Sequence, residues 1–348
     1  MRLLKTLGVG LAGLAFVWVV LAANAGMFLA HDERPAVSAG EFTADALAAR
    51  KKNVTLKNYT VAYLDKGQGP PLILLHGCPF SIIEWKDVLP ELTKHFRVIA
   101  PDLNGLGDTP VALDDDYRLP QIVAMVRELM DHLGLKSAHF IGHDHGGATV
   151  LLLMKDDPGR IEKAILTNIE AYDQWPSKPE IPSLQLIVNP ITSPLFHQAI
   201  QWRWFQRETY SVAVHDPKVL TDDLLDSFVQ EHAATGARWQ RLRRFFTWQL
   251  DPAHSRLTME AVPAMRAFER PVLLLWGGQD TNFGKPLARR LAADIPGTVG
   301  VHWLENSAHL PMLEEPAAFA RAAIAFLKDG QVSQSAASEL QAVRQAQN

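Results

Sequence analysis

Asp144, Asp280 and His309 are acid–base residues whose order along the chain could do covalent chemistry. Asp144 is the centre of Gly142-His143-Asp144-His145-Gly146-Gly147. The apolar run Ala138 to Ile141 before it reads as a short buried strand, and Ala148 to Met154 after it as a helix. A residue on so tight a strand-to-helix turn projects away from the sheet. The glycines two positions to either side, Gly142 and Gly146, let strand and helix approach closely. A carboxylate there attacks carbon through oxygen and leaves an ester on the protein, which water must then hydrolyse. The plainer alternative is a glycine-rich turn in which Asp144 only caps the following helix.

Asp280 follows Leu273-Leu274-Leu275-Trp276-Gly277-Gly278-Gln279, just beyond a strand end. His309 lies in Asn306-Ser307-Ala308-His309-Leu310, the loop after the last strand. In this order Asp280 is expected to hold the imidazole of His309 in one tautomer, and His309 to draw a proton from water for the second step. Backbone N–H groups of Cys78, in His76-Gly77-Cys78-Pro79, and of His145 are expected to converge on one Asp144 oxygen. There they would hold the negative charge of the tetrahedral intermediate. The Cys78 thiol reads as packing, and His76 as a tie between loops. His143, His145 and His309 invite a metal reading, but histidines flanking such a turn point to different sides, so neither a metal nor a cofactor is expected.

The elements that must position these groups follow from periodicity. Short apolar strands are expected at Val54 to Leu64, Leu72 to Leu75, Phe96 to Ala100, Ile161 to Ile169, Val272 to Trp276 and Val299 to Leu304. Helical spacing marks Ile82 to Leu92, Leu119 to Leu133, Lys285 to Ala293 and Pro316 to Leu327. This alternation predicts an α/β fold with a mostly parallel, doubly wound sheet covered on both faces. It stops between Ala171 and Phe268, where Trp, Phe, Pro and Arg recur at helical spacing. A helical cap over the carboxyl edge of the sheet is expected there, because ligands bind on that edge. The expected organisation is therefore a spacer at 31–53, a core at 54–170 and 269–330, a cap at 171–268 and a polar tail at 331–348. The run Arg238, Arg241, Arg243 and Arg244, interleaved with aromatic residues, reads as a solvated helix with an aromatic underside.

The chain has 348 residues, long enough for one large α/β domain with an insertion. Lys+Arg 34 against Asp+Glu 38 give a net charge of -4 with no basic stripe, so no nucleic-acid partner is expected. The single cysteine excludes an intrachain disulfide and a thiolate metal cluster. At the amino end, Arg2 and Lys5 precede an uncharged apolar stretch from Thr6 to Ala30. Residues 1–30 are expected to be a membrane anchor, with the catalytic domain outside the cytoplasm. A secretory signal cleaved after Ala25, giving a periplasmic or secreted protein, is the alternative.

From Val54 to Lys328 the chain resembles the α/β-hydrolase fold, and within it the aspartate-nucleophile branch of epoxide hydrolases and haloalkane dehalogenases. The resemblance rests on Gly142-His143-Asp144-x-Gly146, on His76-Gly77-x-Pro79, on Trp85, on Pro101-Asp102-Leu103-x-Gly105-x-Gly107 and on the three residues above. It implies a covalent Asp144 ester, a helical cap and no cofactor, with water and a small apolar molecule as reactants. Dehalogenases of this branch carry Asn after His-Gly and Trp after the nucleophile, where this chain has Cys78 and His145. Fluoroacetate-type dehalogenases carry Arg after the nucleophile and again three positions on, where His145 and Ala148 stand. Epoxide hydrolases use cap tyrosines to protonate the epoxide oxygen, and the cap holds Tyr172 and Tyr210. Trp85, Tyr172, Trp204 and Tyr210 are thus the expected pocket residues. Asn168-Ile169-Glu170-Ala171 resembles the segment that supplies the triad acid in some haloalkane dehalogenases, so Glu170 is an alternative to Asp280. Epoxide opening leads among the activities, haloalkane dehalogenation follows, and an esterase or lactonase is third. A ligand-binding protein on this fold without catalysis is the remaining alternative.

Overall fold

The structure, a computed structural model, describes residues 42–346. Among them, eight strands form one sheet: β1 (Lys52–Thr55), β2 (Thr60–Lys66), β3 (Pro71–Leu75), β4 (Arg97–Pro101), β5 (Ala138–His143), β6 (Ile161–Thr167), β7 (Val272–Gly277) and β8 (Thr298–Leu304). Their order is β1-β2-β4-β3-β5-β6-β7-β8. β1 and β2 pair antiparallel, as do β2 and β4, and every later pair is parallel. The central strands lack polar alternation because helices cover both faces; β5 and β7 are buried along their whole length. After β3 the chain goes to β4 on one side and returns to β5 on the other. The carboxyl ends of β3 and β5, aligned Leu75 to Gly142, therefore flank the crevice where strand order reverses.

The core helices are α1 (Ala44–Arg50), α2 (Leu89–Leu92), α3 (Leu119–His132) and α4 (Asp144–Asp156). Helices α5 (Ile181–Val188), α6 (Ser193–Ala199), α7 (Arg203–Ser211), α8 (Asp222–His232), α9 (Gly236–Gln249) and α10 (Pro252–Met265) lie between β6 and β7. The chain then adds α11 (Lys285–Asp294), α12 (Pro311–Glu314), α13 (Pro316–Asp329) and α14 (Gln334–Gln345). α3 shows the logic of the covering layer: Ile122, Met125, Val126 and Leu129 fall on one stripe and are all buried. The helix expected from Ile82 to Leu92 is instead a 3-10 turn, Ile82–Trp85, followed by the short α2. Pro90 has no N–H to donate and its ring would crowd the carbonyl four residues back, which disfavours one helix running through it; it stands instead in the first turn of α2, where the missing N–H is tolerated. The polar tail contains α14, capped by Ser333 and seated on Ala336, Leu340 and Val343. It packs on the edge strand β8, where a Cβ on Gly300 would stand 3.1 Å from that of Ala336.

The inserted helices are fastened to the core through charge. Lys51 Nζ lies 2.7 Å from Asp102 Oδ2, 3.0 Å from Asp108 Oδ2 and 2.5 Å from Glu231 Oε1 on α8. Arg238 on α9 pairs with Asp108 at 2.7 Å, and Arg241 donates to the Gly107 carbonyl at 2.5 Å. Two of the arginines expected to be solvated thus bind the Asp102–Thr109 loop.

The expected membrane placement does not stand. Among the described residues no helix is long and apolar enough to cross a membrane. The longest of those listed above have 14 residues, which at 1.5 Å rise reach about 21 Å against a hydrocarbon core of about 30 Å. The stretch Thr6 to Ala30, on which both the anchor and the cleaved signal rested, lies outside the described residues. The membrane partner and the location outside the cytoplasm are therefore without support.

Candidate active site

β5 delivers Asp144 to the first position of α4 with φ 50°, a left-handed backbone that L residues rarely adopt. The turn closes only because its neighbours lack side chains. A Cβ on Gly146 would collide with the Leu75 carbonyl, and one on Gly142 would stand 2.8 Å from the Gly146 carbonyl oxygen. The Asp144 carboxylate emerges over the switch point, 4% exposed. Its Oδ1 accepts the Cys78 N–H at 2.8 Å, and its Oδ2 lies 3.4 Å from His309 Nε2. The other expected donor, His145 N–H, makes no hydrogen bond to Asp144 among the described residues.

His309 Nδ1 lies 3.0 Å from Asp280 Oδ2. Asp280 is itself fixed: Asn168 donates to Oδ2 at 2.7 Å, while the N–H groups of Asn282 and Phe283 donate to Oδ1 at 2.7 and 3.1 Å. The His309 N–H donates to the Ala213 carbonyl at 3.0 Å, so a segment between α7 and α8 holds the loop from above. The three groups brought together are therefore Asp144, His309 and Asp280. Burial alone would raise the Asp144 pKa, but the hydrogen bond and charge of His309, with His143 and the Cys78 N–H, bring it down to about 2. For His309, burial opposes the charge, yet Asp280 and Asp144 outweigh it and hold the imidazole well above its ordinary pKa. The two carboxylates thus favour the imidazolium form of His309 at rest.

Glu170 does not reach this chain of bonds. Its Oε2 lies 2.6 Å from Nδ1 of His145, and its Oε1 accepts Gln249 Nε2 from α9 at 3.0 Å. Burial drives His145 down to about 4 and, with the Asp144 charge, drives Glu170 well above the carboxylate range. Both shifts favour the neutral forms of the pair. Glu180 is pushed up to about 7 by burial and by Asp144, and accepts Asn282 Nδ2 at 2.9 Å. Cys78 contributes its backbone; burial first, and then the charges of Asp144, Glu170 and Glu180, push its thiol up, far from a thiolate.

The expected pocket residues separate. Tyr210 is buried against Phe80 and Phe228, with ring centroids 6.3 and 5.1 Å away. Trp85 lies below the site, between His143 and Phe319, both at 6.4 Å. Tyr172 is turned away: its hydroxyl donates to Asp294 at 2.9 Å, and the Arg290 guanidinium covers its ring at 3.6 Å. Trp204 is 60% exposed and stacks on Trp202. The Tyr172 hydroxyl is thus engaged by Asp294 and Trp204 lies mostly in solvent, because residue type alone does not say which face of a cap element looks inward. Asn168, Glu84 and Gln249 escaped the sequence reading. Glu84 takes the Gly77 N–H at 3.2 Å and lies 3.2 Å from His143 Nδ1, bracing both loops of the switch point. A lone acid in the apolar run Ile82-Ile83-Glu84-Trp85 was a usable signal, whereas Gln249 carried none.

Residues 70–316 match the family model of the alpha/beta hydrolase fold. The soluble epoxide hydrolase of a Corynebacterium strain is 37% identical over 126 residues, 35% of this chain and 44% of that protein. Haloalkane dehalogenase 2 of Mycobacterium tuberculosis is 28% identical over 267 residues, 76% of this chain and 90% of its own. Among solved structures, an alpha/beta hydrolase fold protein from Burkholderia ambifaria superposes with TM-score 0.66 at 24% identity, covering 80% of this chain and 97% of the other. The epoxide hydrolase CorEH superposes at 0.66 and 24% identity, covering 81% of this chain and 99% of its own; these structures speak to the fold alone. With the family model covering β3 to β8 and the inserted helices, the chain belongs to the α/β-hydrolase fold family and is a hydrolase, and its relatives set it in the branch of epoxide hydrolases and haloalkane dehalogenases.

Proposed function

We propose that the protein opens epoxides of small apolar molecules through an ester on Asp144. The observation that carries this reading is the Asp144 carboxylate itself, one oxygen fixed by the Cys78 N–H at 2.8 Å and the other facing His309 at 3.4 Å. Oδ2 attacks the less hindered ring carbon, and the C–O bond breaks as the new one forms. Forming the ester removes the charge that helped keep His309 protonated, so its pKa falls and its extra proton passes to bulk water, to be regained when the Asp144 charge returns. The neutral imidazole, still oriented by Asp280, then takes a proton from water as that water attacks the Asp144 carbonyl carbon. Negative charge collects on Oδ1, already on the Cys78 N–H. Support for epoxide over halide comes from the Corynebacterium relative and from Cys78 and His145, which replace the pair that holds halide in dehalogenases. Dehalogenation of haloalkanes is the second reading, favoured by the Mycobacterium relative, whose length is matched almost throughout.

The test uses His309→Gln, which is expected to be alkylated once and then to stall. Mass spectrometry of this variant after exposure to epoxides and short haloalkanes should find the Asp144 peptide heavier by the ring-opened epoxide, whereas Asp144→Ala should gain nothing. Gain of a bare alkyl group from haloalkanes alone would move the protein to the second reading. Turnover by the unaltered enzyme with no adduct on Asp144, even on the millisecond scale, would defeat covalent catalysis.

A further inference from the structure

An epoxide oxygen leaves as an alkoxide and needs a proton, and of the two cap tyrosines expected to supply it, Tyr172 is bound to Asp294 away from the site. His145 directly follows the nucleophile. Its Nδ1 is engaged by Glu170 at 2.6 Å, while its Nε2 is buried and has no hydrogen-bond partner among the described residues. The residue is 1% exposed, with Phe245 and Trp175 at 5.1 and 5.9 Å. An unpartnered ring nitrogen in such a place is costly unless a ligand completes it. Gln249 adds a second orphan: its Nε2 serves Glu170 while its Oε1 has no partner. Two buried polar atoms, one on the residue that follows the nucleophile and one on α9, are thus left open among the described residues.

We infer that His145 is the acid that protonates the leaving oxygen, with Glu170 as a positioning and proton-supplying residue behind it. The inference rests on the covalent Asp144 reading. In the resting pair Glu170 carries a proton facing Nδ1, and Nε2 carries the proton for the substrate. As Oδ2 bonds to carbon, the C–O electron pair passes to the leaving oxygen, which takes the Nε2 proton, and the Glu170 proton moves to Nδ1. One negative charge leaves Asp144 and one appears on Glu170, so the buried site keeps its net charge in this step. When water later cleaves the ester, Asp144 regains its charge and the proton released returns through His145 to Glu170. The sum is epoxide plus water giving diol. The uncharged state of the pair, set by burial and by the neighbouring Asp144, is the form this relay needs.

The experiment measures the rate of adduct formation on Asp144 in the His309→Gln background, so loss of the acid and failure of the covalent reading are separate outcomes. If no adduct ever forms in that background, the covalent reading fails. If it forms, adding His145→Asn should slow alkylation by methyl oxirane about 10²–10⁴-fold, the range of a general acid. The same variant should lose much less with trifluoromethyl oxirane, whose alkoxide is a better leaving group; that contrast also shows that the variant is folded. Equal losses on both, or no loss, overturn the role of His145. Glu170→Gln should lower the alkylation rate less and should remove the fall in rate at high pH that comes from ionising the pair. The charged and titratable groups facing it, Asp144, His309, Cys78, Glu180 and His254, all remain in that variant. An unchanged pH profile removes Glu170 from the relay.

Discussion

At the seam between cap and core, Lys51 meets Asp102, Asp108 and Glu231; at the sheet edge, His309 meets Asp144 and Asp280. Both clusters place a nitrogen base among carboxylates out of water, and in both the carboxylates outweigh burial and hold the proton on nitrogen. The difference is the base. A lysine starts near 10.4 and an imidazole near 6.5, so no charge consumed nearby can free the lysine proton at neutral pH, while esterification of Asp144 can free that of His309. One arrangement is a fastener and the other can work as a catalyst.

The comparison breaks first at the acid. If Asp280 orients the imidazole, Asp280→Asn should slow ester hydrolysis by about 10⁴, the loss seen when a triad acid becomes an amide. Glu170→Gln should cost that step about tenfold or less, since Glu170 bonds to His145 instead. Single-turnover decay of the Asp144 ester measures both, and the reverse ranking would hand the role to Glu170.

On the seam the expected effect is on stability. Lys51→Met leaves three carboxylates facing each other without their cation and should cost about 3–5 kcal/mol, as breaking a buried ion pair does. Urea denaturation reads this directly, and a loss below about 1 kcal/mol, the scale of surface pairs, would mean the cluster is solvated rather than buried.

The smallest effect sharpens the contrast by pH. Burial, against the pull of Lys51, raises Glu231 to about 7 in the folded protein; unfolded glutamate ionises near 4.3. The folded state binds this proton more tightly, so the stabilising contribution is complete below about pH 4.3 and is lost as pH rises through about 7. Glu231→Gln should flatten that part of the stability profile by up to about 4 kcal/mol, seen by denaturation at several pH values across the window. A variant whose stability still falls with the same slope would show that another group is responsible.

The core strands and the order Asp144, Asp280, His309 were readable because each is a local signal: apolar runs with a period, glycines around a turn, acids and a histidine just past strand ends. The short helix pair at Ile82 to Leu92 was misread where Pro90 overrode the apolar spacing. The order of α14 was not legible, since a polar Ala/Gln-rich segment declares its apolar stripe only once β8 offers it a surface.

By itself the sequence determined the doubly wound core, the tight turn that carries Asp144 and the residue types that can share a proton with it. Backbone sterics and hydrophobic periodicity act within a few residues, so they are written locally. Only the tertiary structure decided which acid meets which histidine, giving Asp280 to His309 and Glu170 to His145. It also turned Tyr172 toward Asp294 and left Trp204 in solvent. Those pairings join residues 25 to 122 positions apart. Their partners are chosen by how strand ends and inserted helices pack, and no spacing along the chain encodes which side chain faces the crevice.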